Sequence, residues 1–263
     1  MERIVKVGII GCGGIANNKH MPSLAKVQNC EMVAFCDIVV ERAEAAKAKY
    51  GTPDAKVYEN YKELLADESI EVVHVCTPNR SHSFITVDAL DAGKHVMCEK
   101  PMAITLEECE AMVEAAKANG KFLMIGHNQR LAKAHAMARK LIVDGLIGDI
   151  VTFRTTFGHG GPETWSVDPG LNTWFFDKTK AAMGAMADLG IHKTDMIQYV
   201  LGSKIVKTQA VLTTLDKKDA NGNLISVDDN AICIYQMENG VIGTMTASWT
   251  YYGAEDNSTK LYG

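Results

Sequence analysis

Near-continuous apolar runs recur along the first 125 residues, at Ile4–Ile10, Met32–Cys36, Val72–Cys76, His95–Cys98 and Phe122–Ile125. Helical stretches separate them at Glu41–Tyr50, Tyr61–Ala66, Phe84–Ala92 and Leu106–Asn119. The last opens on Thr105-Leu106-Glu107-Glu108, a capping box in which threonine and glutamate satisfy each other's orphan amides. It closes on Asn119-Gly120, residues that tolerate a left-handed helix end. Apolar strands alternating with helices predict a parallel sheet buried on both faces. With right-handed crossovers this is a doubly wound α/β fold.

Beyond a helix at Leu131–Val143 the period changes. In Val151–Phe157 the odd positions are Val, Phe, Thr and Phe and the even ones Thr, Arg and Thr. Val241–Trp249 alternates in the same way, which marks strands with one buried face. Asn239-Gly240, between Ala231–Met237 and Val241–Trp249, predicts a two-residue hairpin turn with φ > 0 at both positions. The second half therefore reads as a mainly antiparallel sheet with one helix over Ala185–Leu201.

Composition narrows the function classes. Lys and Arg number 27 against 32 Asp and Glu, a net charge of −5, so there is no cationic excess to track a phosphate backbone or an anionic membrane. Apolar residues make up 47% and charged residues 22%, the mix of an ordinary packed globule. No apolar run approaches the roughly 20 residues that span a bilayer. The N-terminal apolar stretch is broken by Lys6 and runs into glycines, unlike a signal peptide. Seven scattered cysteines without a C-x-x-C read as reduced core residues, and no spacing suggests a metal site. The expectation is a soluble cytoplasmic protein of two domains.

Directly after the first strand stands Gly11-Cys12-Gly13-Gly14-Ile15-Ala16, a G-x-G-x-x-A. The first glycine permits a tight strand-to-helix turn and the second lets backbone approach a pyrophosphate. The small Ala16 lets helix and strand pack closely, and the helix N-terminus offers N–H groups to phosphates. Asp37 follows Ala16 by 21 positions, where a carboxylate accepts the ribose hydroxyls. These residues, with Gly14 and Ile15 in the turn itself, predict a dinucleotide site. Asp37 repels a 2′-phosphate, and Ile38 and Val39 supply no cation, so NAD is favoured over NADP despite Arg42 one helical turn on.

Two further strand ends carry polar residues at the carboxyl edge, where open α/β sheets bind ligands. One runs Thr77-Pro78-Asn79-Arg80-Ser81-His82, the other Glu99-Lys100-Pro101. Lys100, just past a buried strand, can project an ammonium towards a nicotinamide. In the second half, Asp188 and His192 are i and i+4 on a helix, with Asp195 three further on. A carboxylate beside an imidazole raises its basicity and suits it to removing a hydroxyl proton. The long connection from Gly158 to Gly184 holds His159, Trp165 and Trp174, whose rings suit the C–H faces of a sugar. Arg130, where the chain leaves the first domain, is a candidate for a substrate oxygen.

Together these residues resemble the Gfo/Idh/MocA family of NAD(P)-dependent oxidoreductases, typified by glucose–fructose oxidoreductase and inositol dehydrogenase. The likeness rests on the glycine turn, Asp37, Thr77-Pro78-Asn79 with His82, Glu99-Lys100-Pro101 and Asp188–Gly190–His192–Asp195, and it spans residue 4 to the end. It implies a Rossmann domain (1–128) and an α+β domain on a mostly antiparallel open sheet (129–263) for substrate binding and oligomerisation. It also implies hydride transfer between NAD and a carbinol of a sugar, polyol or glycoside. By position, His192 is the acid/base, Asp188 orients it or binds a neighbouring hydroxyl, and Lys100 stabilises charge on the reacting oxygen. Thr77, Asn79, His82, Glu99 and Lys100 fall with the cofactor, and a homodimer or homotetramer is implied. Two alternatives share these residues: a redox-neutral glycosidase or lyase that oxidises the sugar transiently, and a non-catalytic NAD sensor. Two departures stand out. Members often carry consecutive glycines before the Asp–His helix, where this chain has Ala182-Met183-Gly184-Ala185. Members also run longer, so the second domain is expected to be incomplete at its C-terminus, with an unpaired sheet edge.

Overall fold

The computed structural model describes residues 3–263. Two compact units divide the chain, Met1–Gly126 and His127–Gly263. No helix among the described residues is long and apolar enough to cross a membrane.

The first unit holds strands Val5–Ile10 (β1), Cys30–Cys36 (β2), Lys56–Tyr58 (β3), Val72–Val75 (β4), His95–Cys98 (β5) and Leu123–Ile125 (β6). Its helices are Met21–Leu24 (α1), Val40–Tyr50 (α2), Tyr61–Leu65 (α3), His82–Asp91 (α4) and Leu106–Ala118 (α5). The strands lie in the order β3-β2-β1-β4-β5-β6, and every neighbouring pair is parallel. Strand order reverses between β1 and β4, which places the ligand crevice of such a sheet at their carboxyl ends. Apolar clusters cover the sheet, one around Ile10, Val75 and Leu90, the other around Ile9, Phe35 and Met21. The strand β3 has only three residues and too little apolar pattern to be read from sequence.

The second unit comprises Lys133–Val143 (α6), Thr152–Gly158 (β7), Lys178–Ala181 (α7), Ile191–Leu201 (α8), Ile205–Thr213 (β8), Asn230–Met237 (β9), Ile242–Ser248 (β10) and Thr259–Tyr262 (β11). Its strands are ordered β11-β7-β10-β9-β8. The sheet is mixed: β10 runs parallel to β7, while the other three pairs are antiparallel. One face is buried by Phe153, Tyr235, Met245 and Trp249 against Leu189 and Ile197. The other face leaves Val211, Ile232, Ile234 and Ile242 exposed.

Two local expectations change. Met237 N–H donates to Val241 O across the β9–β10 turn and Gly240 N–H to Met237 O, so the loop is Glu238-Asn239-Gly240. Among these only Gly240 has positive φ (+88°); Asn239 instead caps the turn by accepting Val241 N–H. The helix expected over Ala185–Leu201 opens as one wide π turn, Met186–Gly190, before α8 begins. A second π turn, Ala16–His20, follows the glycine motif and leads into α1.

The capping box at α5 forms: Glu108 N–H donates to Thr105 Oγ1 at 3.2 Å, and Thr105 N–H to Glu108 Oε2 at 3.3 Å. Thr105→Ala is expected to cost about 1 kcal/mol of stability, seen as a lower urea midpoint, with Thr105→Ser close to wild type. Equal midpoints for all three proteins would mean that the cap contributes nothing.

Candidate functional site

Gly11 closes β1 at φ +89°, and a Cβ there would lie 2.6 Å from the Cys76 carbonyl oxygen at the end of β4. The ends of β1 and β4 therefore touch only because the residue is glycine. Asn17 braces the turn from inside, its amide donating to Cys12 O (2.7 Å) and Gly13 O (3.1 Å). A Cβ at Gly14 would meet nothing within 4 Å, so the turn is open on its outer side. Ala16 is fully buried under the helix. Asp37 is buried at the end of β2, where one carboxylate oxygen accepts Cys12 N–H (2.8 Å) and the other Val39 N–H (2.9 Å). An open glycine cradle clamped to a carboxylate fits the pyrophosphate and ribose of NAD.

The Thr77-Pro78-Asn79 loop follows β4, with Ser81 Oγ donating to Thr77 Oγ1 at 2.7 Å. His82, expected among the cofactor contacts, is wholly buried with Nδ1 2.7 Å from Pro101 O and Nε2 2.8 Å from Thr77 O. Each ring nitrogen faces a backbone carbonyl, so the buried His82 lies between the two loops. Burial lowers its pKa, and the two carbonyls, which accept from N–H, oppose that shift. Glu99 is likewise buried and engaged: Oε1 meets His20 Nε2 at 2.7 Å and Oε2 accepts Lys100 N–H at 3.0 Å. Burial by itself raises the Glu99 carboxyl, but the His20 hydrogen bond and charge, with Lys100 beyond, hold it below the ordinary range. Glu99 thus ties His20 to the Lys100 peptide. The peptide between Lys100 and Pro101 is cis.

In the second unit a buried carboxylate sets the start of the Asp–His helix. Asp228 accepts Gly184 N–H and Met186 N–H, both at 2.8 Å, while its carbonyl accepts Ala185 N–H. Gly184 runs so close to that carbonyl that a Cβ would overlap it. Ala182, in the stretch where the resemblance suggests glycines, takes φ +65°, a region that disfavours any Cβ. From this start the π turn presents Asp188, whose Oδ2 accepts the indole N–H of the fully buried Trp249 at 3.1 Å. His192 follows in α8, its ring 6.1 Å from that of Phe157. Phe157 in turn meets His159 edge-on at 5.7 Å, and His159 meets Trp165 at 5.9 Å. Trp165 contacts Phe175, on which Trp174 stacks at 3.9 Å. The expected aromatics thus form one chain of rings beside His192. Arg130 goes elsewhere: its guanidinium forks onto Asp195, Nε donating to Oδ2 at 2.7 Å and Nη2 to Oδ1. The fork fixes Asp195 on α8 and commits Nε and Nη2 of Arg130 to it.

Sequence reading missed four participants. His20, Trp249 and Asp228 act on residues 79, 61 and 42 or more positions away, and no periodic signal carries such a pairing. The fourth, Lys193, adjoins His192 and lies 5.8 Å from the Phe157 ring that His192 also meets. It is fully buried and donates to Asn257 O at 3.1 Å and Thr259 Oγ1 at 3.5 Å. The cysteines are free thiols, with burial raising Cys12, Cys36 and Cys98 to about 12. Among the described residues no cluster of His, Cys, Asp or Glu is arranged to hold a metal ion.

Comparison with known proteins gives this geometry a family. Residues 5–127 match an oxidoreductase family with an NAD-binding Rossmann fold, and residues 135–263 match the GFO/IDH/MocA C-terminal domain. Levoglucosan dehydrogenase of Pseudarthrobacter phenanthrenivorans is 32% identical across 97% of this chain and 70% of its own length. D-glucoside 3-dehydrogenase of Escherichia coli is 36% identical across 78% of the chain and 56% of its own length. A solved levoglucosan dehydrogenase in complex with NADH and levoglucosan superposes at a TM-score of 0.86, with 28% identity over 99% of this chain and 71% of that one. An aldose-aldose oxidoreductase from Caulobacter crescentus complexed with glycerol gives the same TM-score and identity over 99% and 75%. The matches span 43% to 75% of the relatives' own lengths, the lower figure for an inositol 2-dehydrogenase of Salmonella.

Lys193 gives the second unit a stability contribution that depends on pH. Burial lowers its pKa from 10.5 to about 8, only partly offset by Asp256 and Glu255. Below pH 8 folded and unfolded chains both hold the proton, and the burial penalty is present in full. Between pH 8 and 10.5 only the unfolded chain still binds it, so the contribution of this group to stability rises with pH. Wild type is therefore expected to gain stability relative to Lys193→Met across that interval. The buried thiols titrate in the opposite sense and cancel in the difference. A pH-independent difference in chemical denaturation would assign Lys193 an ordinary pKa.

Proposed function

Because the chain belongs to the GFO/IDH/MocA family of oxidoreductases, we propose that it transfers a hydride between NAD and a hydroxyl-bearing carbon of a sugar, polyol or glycoside. The observation that carries this reading is the Asp188–His192 pair, set on a braced helix start and flanked by a chain of aromatic rings. His192 takes the hydroxyl proton during oxidation and returns it during reduction. Asp188, itself held by Trp249, orients the imidazole. Lys100 donates a hydrogen bond to the reacting oxygen and stabilises the negative charge that develops there. NAD, when bound, supplies the hydride acceptor. Gly11, Gly13, Gly14, Ile15 and Asp37 bind it, together with Thr77 and Asn79 on the neighbouring loop. The ring chain through His159, Trp165 and Trp174 packs against the C–H faces of the sugar, a contact that aromatic rings make well.

The substrate class follows from the relatives, which are named for levoglucosan, D-glucosides and inositols. In this reading residues 1–128 serve the cofactor and 129–263 the substrate and self-association. The exposed valine and isoleucines on the outer face of the second sheet fit a surface covered by another copy. Light scattering is expected to report a dimer or tetramer, and a monomer at micromolar concentration would remove this part of the proposal.

The decisive experiment incubates the protein and NAD with anhydrosugars, inositols, aldoses and glucosides while following the absorbance of reduced nicotinamide. NADH is expected to accumulate in step with an oxidised product. His192→Ala is expected to lower turnover by about 10²–10⁴ with NAD affinity nearly unchanged. Normal turnover in His192→Ala would refute the acid/base role.

A further inference from the structure

The first unit contains a buried row of titratable groups that the reaction as proposed does not use. His74 on β4 places Nδ1 2.8 Å from Nδ1 of His20, the last residue of the π turn after the glycine motif. The other nitrogen of His20 lies 2.7 Å from Glu99 Oε1, and Glu99 Oε2 accepts the backbone N–H of Lys100 at 3.0 Å. His20 and Glu99 are each 8% exposed. Burial beside His20 drives the His74 pKa to about 3, so His74 is a neutral ring. Gly126 closes the carboxylate from the remaining side, where a Cβ would come within 3.0 Å of Oε1. On the far side of Lys100, His82 holds the Pro101 carbonyl at 2.7 Å.

We propose that His20 is a positioning residue for Lys100: through Glu99 it fixes the Lys100 peptide, and so the direction in which the ammonium leaves the end of β5. The proposal rests on the role given to Lys100 above. A buried ion pair adds little net stability over an apolar pair of the same volume, so stability alone is a weak reason for this one. What it does supply is direction. The carboxylate has one oxygen for His20 and one for the Lys100 amide, and with the first bond made it cannot rotate away from the second. The same link ties Lys100 to the helix that follows the glycine turn, so both parts of the cofactor cradle share one rigid support. Positioning matters because a displacement of about 1 Å costs about 10²-fold in rate.

The test compares His20→Leu, His20→Gln, Glu99→Gln and Lys100→Met in the whole chain, using NAD and the sugar of the panel above that is turned over fastest. Leucine removes the donor to Glu99, whereas the glutamine amide can still reach it. His20→Leu is expected to lower kcat by about 10- to 100-fold with little change in KM or in NAD affinity. His20→Gln should recover most of that loss. A readout independent of turnover is hydrogen exchange of the Lys100 amide in the protein without sugar. It is expected to be slow in wild type and in His20→Gln, and at least about tenfold faster in His20→Leu. If His20→Leu does not fold, Glu99→Gln takes its place: it keeps the volume and the acceptor but weakens the bond to His20, and should show smaller changes of the same kind. Unchanged kcat and exchange in the folded variants, or a loss that His20→Gln does not recover, overturns the proposal. Lys100→Met separates the two levels of the argument. If it retains full turnover, the role of Lys100 itself fails; if it is inactive while the His20 variants are normal, only the positioning by His20 fails.

Discussion

Buried carboxylates that accept backbone N–H groups hold three turns that carry candidate site residues: the glycine turn, the Lys100 peptide and the start of the Asp188–His192 helix. Asp37 takes the Cys12 amide and so holds the glycine turn, and Glu99 takes the Lys100 amide. Asp228 takes the amides of Gly184 and Met186 and starts the helix of Asp188 and His192. Asp229 beside it accepts the amides of Leu215, Asp216 and Lys217. An ionised carboxylate taken out of water costs several kcal/mol unless hydrogen bonds replace its hydration, and the N–H···carboxylate bond is of the strong, charge-assisted kind. Rotating any of these turns would strand a buried charge. The turns thus inherit their order from buried carboxylates set behind the backbone.

The same logic orders the loop after β7. Lys217, buried next to the Asp229 turn, pairs with Glu163 and lies 4.6 Å from the ring of Tyr252. Glu163 is thereby fastened at the base of the segment that carries Trp165 and Trp174. The aromatic chain from Phe157 to Trp174 thus starts on a strand of the sheet, and an ion pair fastens the segment beside Trp165 in its middle.

Two wide turns of π helix stand at the two sequence motifs, Ala16–His20 behind the glycine turn and Met186–Gly190 ahead of His192. Each adds a residue to the ordinary helical turn and redirects the side chains that follow. In the first, His20 is swung inward to Glu99. In the second, Asp188 reaches the indole of Trp249 on the sheet beneath. Such turns are energetically poorer than α helix and are seen where function demands a particular direction. Ala182, at φ +65° just before the second, adds local strain of the kind that surrounding contacts must hold in place.

Much of this was legible in the chain itself. The parallel sheet followed from β-branched runs such as Val72–Val75, and the start of α5 from Thr105 and Glu108, because strand burial and helix capping are decided by neighbours within a few residues. The same locality made the glycine turn, Asp37, Lys100 and the Asp188–His192 spacing readable as chemistry. What only the tertiary structure decided is where polar groups distant in the chain find partners. It decided that His82 and Glu99 serve the backbone, that Arg130 closes on Asp195, that β7 and β10 run parallel, and that His20 and Trp249 stand behind the candidate catalytic groups. Hydrophobic periodicity reports which face of an element is buried. A hydrogen bond depends on ångström-scale distance and angle between elements, and those are set by packing of the whole core.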